Sequence, residues 1–92
     1  MANVTIAVAP SLRRFVSGQK ELAAEADNVD HALSIFVDHA QELREHLYDE
    51  TQQLRRFVRI FVDGKPVNMS AHSKDPLQPG AKINVMLALA GG

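Results

Sequence analysis

The sequence predicts an α+β fold in which one main helix covers one face of a mixed β-sheet. Apolar residues alternate with polar residues near both ends of the chain, which is the period of a half-buried strand. A central stretch spaces its apolar residues by three and four positions, as in an amphipathic helix. A run of β-branched and aromatic residues follows and ends in a turn signal, which favours a further strand.

Length and composition limit the possible classes of protein. The 92 residues suffice for one domain with one core. An apolar content of 46% is far from that of disordered chains, and a net charge of −1 gives no general attraction to nucleic acids or anionic membranes. The absence of cysteine excludes disulfides, thiolate metal sites and cysteine nucleophiles. No signal peptide or membrane-length apolar run is recognised, so the expected location is the cytoplasm, without membrane or nucleic-acid partners.

Two strands are predicted before the helix. Apolar residues occupy every second position from Val4 to Val8, and Pro10 ends this strand because proline cannot donate to a ladder. A second alternating segment begins after Gly18. The two segments are predicted to form a hairpin. Its long connecting loop carries Leu12, Phe15 and Val16.

The main helix is predicted to begin near Asn28. Asp27 and Asn28 are residue types that cap helix N-termini, and Asp30 places a negative charge in the first turn. Leu43 and Leu47 extend the apolar stripe, and the sequence is compatible either with one continuous helix or with a break and restart near position 40. The stripe itself consists of Val29, Ala32, Leu33, Phe36, Val37 and Ala40.

Two further strands are predicted after the helix. The third strand covers residues 57–62 and ends in the tight-turn pair Asp63-Gly64. Prolines interrupt the next segment, so we expect turns and at most one small edge strand at Val67 to Met69. The last strand is predicted from Ala81 to Leu89, beside the first. The resulting mixed sheet of four to five strands with one main helix is the β-grasp arrangement.

The two C-terminal glycines carry the clearest chemical signal. Without side chains, Gly91 and Gly92 can pass through a channel too narrow for other residues. The carboxyl group of Gly92 is the candidate reactive group, and a partner that holds ATP must activate it. We therefore predict a carrier and not an enzyme, with a β-grasp domain at residues 1–88 and a reactive tail at 89–92. The alternative is a frayed end without function.

The face of the sheet away from the helix is predicted to dock partners. Alternation along the third strand places Arg59 and Phe61 on this face. Met86 of the last strand and Leu12 of the hairpin loop are expected beside them. An exposed apolar patch of this kind is typical of protein docking sites. The alternative is that Phe15 or the loop before the last strand covers Phe61 and forms a second small core.

The histidines and arginines are interpreted as surface residues. On one helix, successive members of the group His31, His39 and His46 would be about 10 to 12 Å apart along the axis. This distance is too large for them to share a metal ion. We therefore predict no metal site. The five arginines, which could form a local basic area, are expected to be solvated. They are Arg13, Arg14, Arg55, Arg56 and Arg59.

Three segments resemble a known family, the ubiquitin-like sulfur-carrier proteins of the thiamin and molybdopterin pathways. The similar segments are residues 3–6, 54–62 and 88–92. The resemblance is strongest to the branch whose thiocarboxylate supplies sulfur for the synthesis of cysteine and related metabolites. It extends over nearly the whole chain, although only the terminal Gly-Gly is a motif with chemical content.

The resemblance implies a reaction cycle centred on Gly92. An E1-like enzyme adenylates Gly92 with ATP, a sulfur donor converts it to a thiocarboxylate, and a biosynthetic enzyme accepts the sulfur. Leu87 and Leu89 would contact the partner's channel, and a zinc-dependent JAMM-type protease would remove any residues after Gly92. The chain itself would bind no cofactor. Two alternatives stay open: a ubiquitin-like modifier joined to lysines through Gly92, and a passive interaction module.

Overall fold

The computed structural model describes residues 1–88, which form a mixed five-stranded sheet in the order β2-β1-β5-β3-β4. The strands are β1 (Ala2–Val8), β2 (Glu21–Ala26), β3 (Val58–Val62), β4 (Lys65–Pro66) and β5 (Lys82–Leu87). The helices are α1 (Val29–Val37), α2 (Gln41–Leu47), α3 (Met69–His72) and a 3-10 helix (Pro10–Val16). The predicted α+β class is confirmed.

The pairing of strands places the last strand in the middle of the sheet. β1 pairs antiparallel with β2 and parallel with β5, so that Ile6 lies opposite Ile83. β3 pairs antiparallel with β5, with Ile60 opposite Val85. These four side chains are at most 3% exposed and form part of the core. The prediction that the last strand lies beside the first is confirmed.

Helix α1 covers the core face of the sheet as its apolar stripe predicts. Asn28 caps its N-terminus, because its side-chain oxygen accepts a hydrogen bond from the backbone N–H of His31 at 2.7 Å. The side chain of Phe36 is fully buried. Burial of a phenylalanine side chain contributes about 1.5 to 3 kcal/mol, so this stripe is the main attachment of the helix to the sheet.

The helical region breaks where the sequence left two possibilities open. Helix α1 ends at Val37, Ala40 is extended with φ −160°, and α2 begins at Gln41. Leu43 and Leu47 are fully buried in the same core as the residues of α1. The break changes the helix axis, so that α2 reaches the 3-10 helix as well as α1.

The hairpin loop and the edge strand differ from the predictions. The loop forms a 3-10 helix that ends at Val16 and is followed by Ser17 and Gly18, which have positive φ angles. The edge strand lies at Lys65–Pro66 and not at residues 67–69, because the Asp63-Gly64 turn reverses the chain at once. The following residues form α3, which is capped by the side chain of Asn68. Within residues 1–88, no helix has the length and apolarity needed to cross a bilayer.

Candidate functional site: the open sheet face and the end of the last strand

The last described residues lead directly into the predicted reactive tail. The backbone N–H of Ala88 donates a hydrogen bond to the carbonyl oxygen of Phe57 at 2.6 Å, so pairing with the segment before β3 continues past the end of β5. Leu89, Gly91 and Gly92 lie outside the described residues. Their roles in threading and sulfur transfer, and the division between domain and tail at residue 88, therefore stay predictions.

Leu87 is part of the domain and does not behave as a tail residue. It is the last residue of β5, lies opposite Val58, and its half-buried side chain packs against the core. Alternation along β5 puts Leu87 on the same face as Ile83 and Val85. The side chain of Leu87 therefore faces the core and is only partly accessible, and its contact with a partner's channel stays a prediction.

The open face of the sheet carries the three strand residues that the alternation places there. Arg59 is exposed, Phe61 is half-buried, and Met86 is 50% exposed. Neither Phe61 nor Met86 packs against the core cluster. Among residues 1–88, Met86 and Met1 are the large apolar residues that are exposed. The placement of these side chains on the open face is confirmed, and their docking role stays a prediction.

The register shows how these side chains are arranged. Met86 lies directly opposite Arg59, whereas Phe61 lies opposite Asn84 and is therefore a diagonal neighbour of Met86. On its other side Phe61 pairs with Pro66 of β4, which accounts for part of its burial. The Arg59 guanidinium donates to the carbonyl oxygens of Arg56 and Val58, so it stays close to the start of β3.

Two side chains that the sequence associated with this face lie elsewhere. Leu12 is fully buried in the core, because the 3-10 helix turns it inward. The prediction of Leu12 as a docking residue is therefore wrong. The ring centroids of Phe15 and His46 are 5.1 Å apart. The guanidinium carbon of Arg14 lies 4.6 Å from the centroid of the Phe15 ring. These contacts hold Phe15 against α2.

A shallow groove of about 770 Å³ lies beside Met86 on the open face. Residues of β5, including Asn84 and Met86, form one part of its lining, and the end of β1, the connection that follows it and the start of β2 form the rest. Its charged lining residues are Arg13, Lys20, Glu21 and Lys82. No local pattern in the sequence predicts this groove, since only the order of the strands brings these distant positions together.

The histidines make local hydrogen bonds. Nδ1 of His39 bonds to the carbonyl oxygen of Phe36 at 3.0 Å, and Nδ1 of His46 bonds to that of Glu42 at 2.8 Å. Nδ1 of His31 accepts from the backbone N–H of Asp27 at 3.1 Å. In the part of the chain that the structure describes, no group of three or more histidine or carboxylate side chains is arranged to hold a metal ion.

Comparisons with known proteins extend over nearly the whole chain. Residues 10–92 match the model of the ThiS family. The sulfur carrier protein CysO of Mycobacterium tuberculosis is 29% identical over 92 residues, which cover 98% of this chain and 99% of that protein. The crystal structure of Mycobacterium tuberculosis CysO, described as an antigen, has a TM-score of 0.80 and 27% identity, and the alignment covers 95% of this chain and 100% of that one.

A further solved structure supports the fold. The BexX/CysO complex of Amycolatopsis orientalis contains a chain with a TM-score of 0.81 and 24% identity to this one, covering 97% of this chain and 99% of that chain. An identity this low shows the fold alone. Together with the mixed sheet described above, these likenesses confirm the predicted β-grasp architecture.

Proposed function

Because the chain belongs to the ThiS family, we propose that it is a sulfur carrier for the biosynthesis of cysteine or a related sulfur metabolite. The observation that carries this proposal is the 29% identity to a sulfur carrier protein along nearly the full length of both chains. The family match also extends through Gly92, and so includes both terminal glycines.

The proposed sulfur-bearing group is the carboxyl carbon of Gly92. A free carboxylate does not react with nucleophiles until one oxygen becomes part of a good leaving group. In the proposed cycle, an E1-like enzyme joins the carboxylate to AMP from ATP and releases pyrophosphate. A sulfide-level sulfur donor then attacks the acyl carbon, displaces AMP and leaves a thiocarboxylate.

The partners in this cycle perform the chemistry, and the chain carries the sulfur between them. ATP belongs to the activating enzyme. A biosynthetic enzyme transfers the sulfur to its own substrate, and hydrolysis by water at the carboxyl carbon of Gly92 restores the carboxylate. If the gene encodes residues beyond Gly92, a JAMM-type protease is the proposed enzyme that exposes the carboxyl group. Gly91 and Leu89 are the proposed contacts in the channel of the activating enzyme.

The position of β5 supports this role. β5 pairs with β1 as far as Val85 and with β3 as far as Leu87, so strand pairing fixes the chain up to the last residue of β5. The proposed tail begins two residues after Leu87, and the exposed side chain of Met86 lies next to this end of the strand. We propose that Met86, Arg59 and Phe61 contact the activating enzyme while Gly92 reaches its nucleotide.

Intact-protein mass spectrometry tests the proposal. The chain is incubated with ATP, a sulfide source and the E1-like enzyme of the same organism. A gain of about 16 Da is expected as sulfur replaces one oxygen, and a variant without Gly91 and Gly92 is the control. If the mass of the chain stayed unchanged although the same enzyme preparation activated another carrier protein, the result would contradict the proposal. Covalent conjugates to lysines in cell extracts would instead support a modifier.

A further inference from the structure

The groove beside Met86 has an excess of positive charge that its own residues do not neutralise. Arg13, Lys20 and Lys82 line it together with one carboxylate, that of Glu21. Lys82 Nζ forms an ion pair with Glu21 Oε2 at 2.8 Å. Among residues 1–88, neither Arg13 nor Lys20 has a salt-bridge partner. Two cations therefore remain available to a ligand.

Both residues that carry these cations form a hydrogen bond with the same residue of β1, Arg13 through its side chain and Lys20 through its backbone. The backbone N–H of Val8 donates to the carbonyl oxygen of Lys20 at 2.8 Å. The carbonyl oxygen of Val8 accepts a hydrogen bond from Nε of Arg13 at 3.0 Å. Val8 in turn lies opposite Val85, the neighbour of Met86 in β5. The cations thus have fixed attachment points next to the exposed methionine.

The positive charge of the groove is a local feature and does not follow from composition. The whole chain has a net charge of −1, whereas the groove lining has two more basic than acidic side chains. The surface of α2 and the loop after it carries both acidic and basic side chains, among them Glu45, Asp49, Arg44 and Arg55. A local excess of one charge orients a protein toward a partner whose surface carries the opposite charge.

We propose that this groove receives an acidic segment of the activating enzyme, whose carboxylates contact Arg13 and Lys20 while an apolar side chain contacts Met86. This inference rests on the proposed function, and it specifies the chemistry of the partner. The groove is continuous with the proposed docking residue Met86, which is part of its lining. Binding there would orient the enzyme before the tail enters its channel.

The test compares two lysine variants with the same change in charge. Lys20→Glu reverses one cation in the groove. Lys74→Glu changes an exposed lysine that lies with Met1 and Asp27 in another cleft, at the opposite end of β1. Affinity for the E1-like enzyme is measured by calorimetry without ATP, at low salt and in about 1 M NaCl, where the Debye length is about 3 Å.

We expect Lys20→Glu to raise the Kd about tenfold at low salt and Lys74→Glu to change it less than about twofold, with the difference lost in high salt. Equal affinities of the two variants, or wild-type binding independent of salt, would overturn the inference. A dimer of the chain that Lys20→Glu disrupts would place a second copy in the groove and overturn it as well.

The outcomes separate this inference from the proposed function. Salt-dependent binding that Lys20→Glu weakens, without any gain of sulfur in the mass assay, would support the groove and contradict the carrier function. If the thiocarboxylate forms and both variants bind the enzyme with equal affinity, the result would support the carrier function and contradict the role of the groove in binding. The absence of any binding would contradict both.

Discussion

At the scale of single residues, one carboxylate organises the loop after α2. Oδ1 of Asp49 accepts hydrogen bonds from Thr51 Oγ1 at 2.6 Å, from the backbone N–H of Thr51 at 2.8 Å and from that of Gln53 at 3.1 Å. The hydrogen bond from the Thr51 side chain, followed by that from Gln53, lowers the pKa of Asp49 below its ordinary value of 3.8. The ionised carboxylate of Asp49 is therefore more stable in the folded loop than in the unfolded chain.

This pKa shift predicts how the stability of an Asp49→Asn variant depends on pH. Because the pKa of Asp49 is lower in the folded state than in the unfolded chain, ionised Asp49 stabilises the fold at pH values above 3.8. This stabilisation is lost as the pH falls through 3.8 to below the pKa of the folded state. We expect Asp49→Asn to lower the Tm only modestly at pH 7, because the hydrogen bonds of Asp49 are exposed to solvent, and to match the wild type in strong acid. Thermal unfolding followed by circular dichroism between pH 2.5 and 7 measures this difference.

The matched control for Asp49 is its neighbour Glu50, which is exposed. Glu50→Gln removes the same charge without removing the hydrogen bonds to Thr51 and Gln53. We expect its Tm to stay close to that of the wild type throughout the pH range. Equal losses in the two variants would show that charge alone matters, and would contradict the role given to the hydrogen bonds.

At the scale of elements, the 3-10 helix is a supporting part of the core. Leu12 is fully buried in the core cluster that also contains Leu43 and Leu47 of α2. We expect Leu12→Ala to lower the free energy of unfolding by about 2 to 5 kcal/mol, as buried leucine truncations do. Urea denaturation measures it. Leu77→Ala, at a half-buried position, should lower the free energy of unfolding by less. If Leu12→Ala left this free energy unchanged, the side chain of Leu12 would not be in the core.

The sequence predicted the strongly periodic elements and the faces of their side chains. Alternation along β1, β3 and β5 correctly assigned their core residues and left Arg59, Phe61 and Met86 on the open face. The spacing of the apolar stripe likewise predicted α1. The spacing of apolar residues shows which residues share a face of a helix. This spacing is the same whether the helix is continuous or breaks at Ala40, because both halves pack into one core. This is why the stripe alone left the break undecided.

The missed features depend on contacts between distant segments. The 3-10 helix is too short to show a period, and its place in the core is set by packing against α2. The edge strand was placed too late because the pairing of Lys65 with Val62 begins directly after the turn. The groove requires positions 13, 20 and 82 to meet, which follows from strand order and not from any local pattern.

At the scale of the whole molecule, the open face of the sheet extends almost to the last described residue, because β5 carries Met86 and ends at Leu87. The side chain of Met86 is 50% exposed on this face, two residues before Ala88. A docking contact at Met86 would therefore position the tail as well as bind the partner. The helices cover the other face of the sheet, so we expect a substitution at Met86 to leave the core unchanged.

This arrangement predicts that Met86→Asp separates folding from activation. An exposed substitution outside the core usually changes stability by no more than about 0.5 kcal/mol, so the Tm should be nearly unchanged. A charge that has to be desolvated in an apolar contact would weaken binding, and we expect thiocarboxylate formation to slow about tenfold or more at low carrier concentration. Rates measured by mass spectrometry test this, with Ala71→Asp on exposed α3 as the control. Unchanged rates with native unfolding curves would remove Met86 from the docking surface and leave the tail as the element that the activating enzyme recognises.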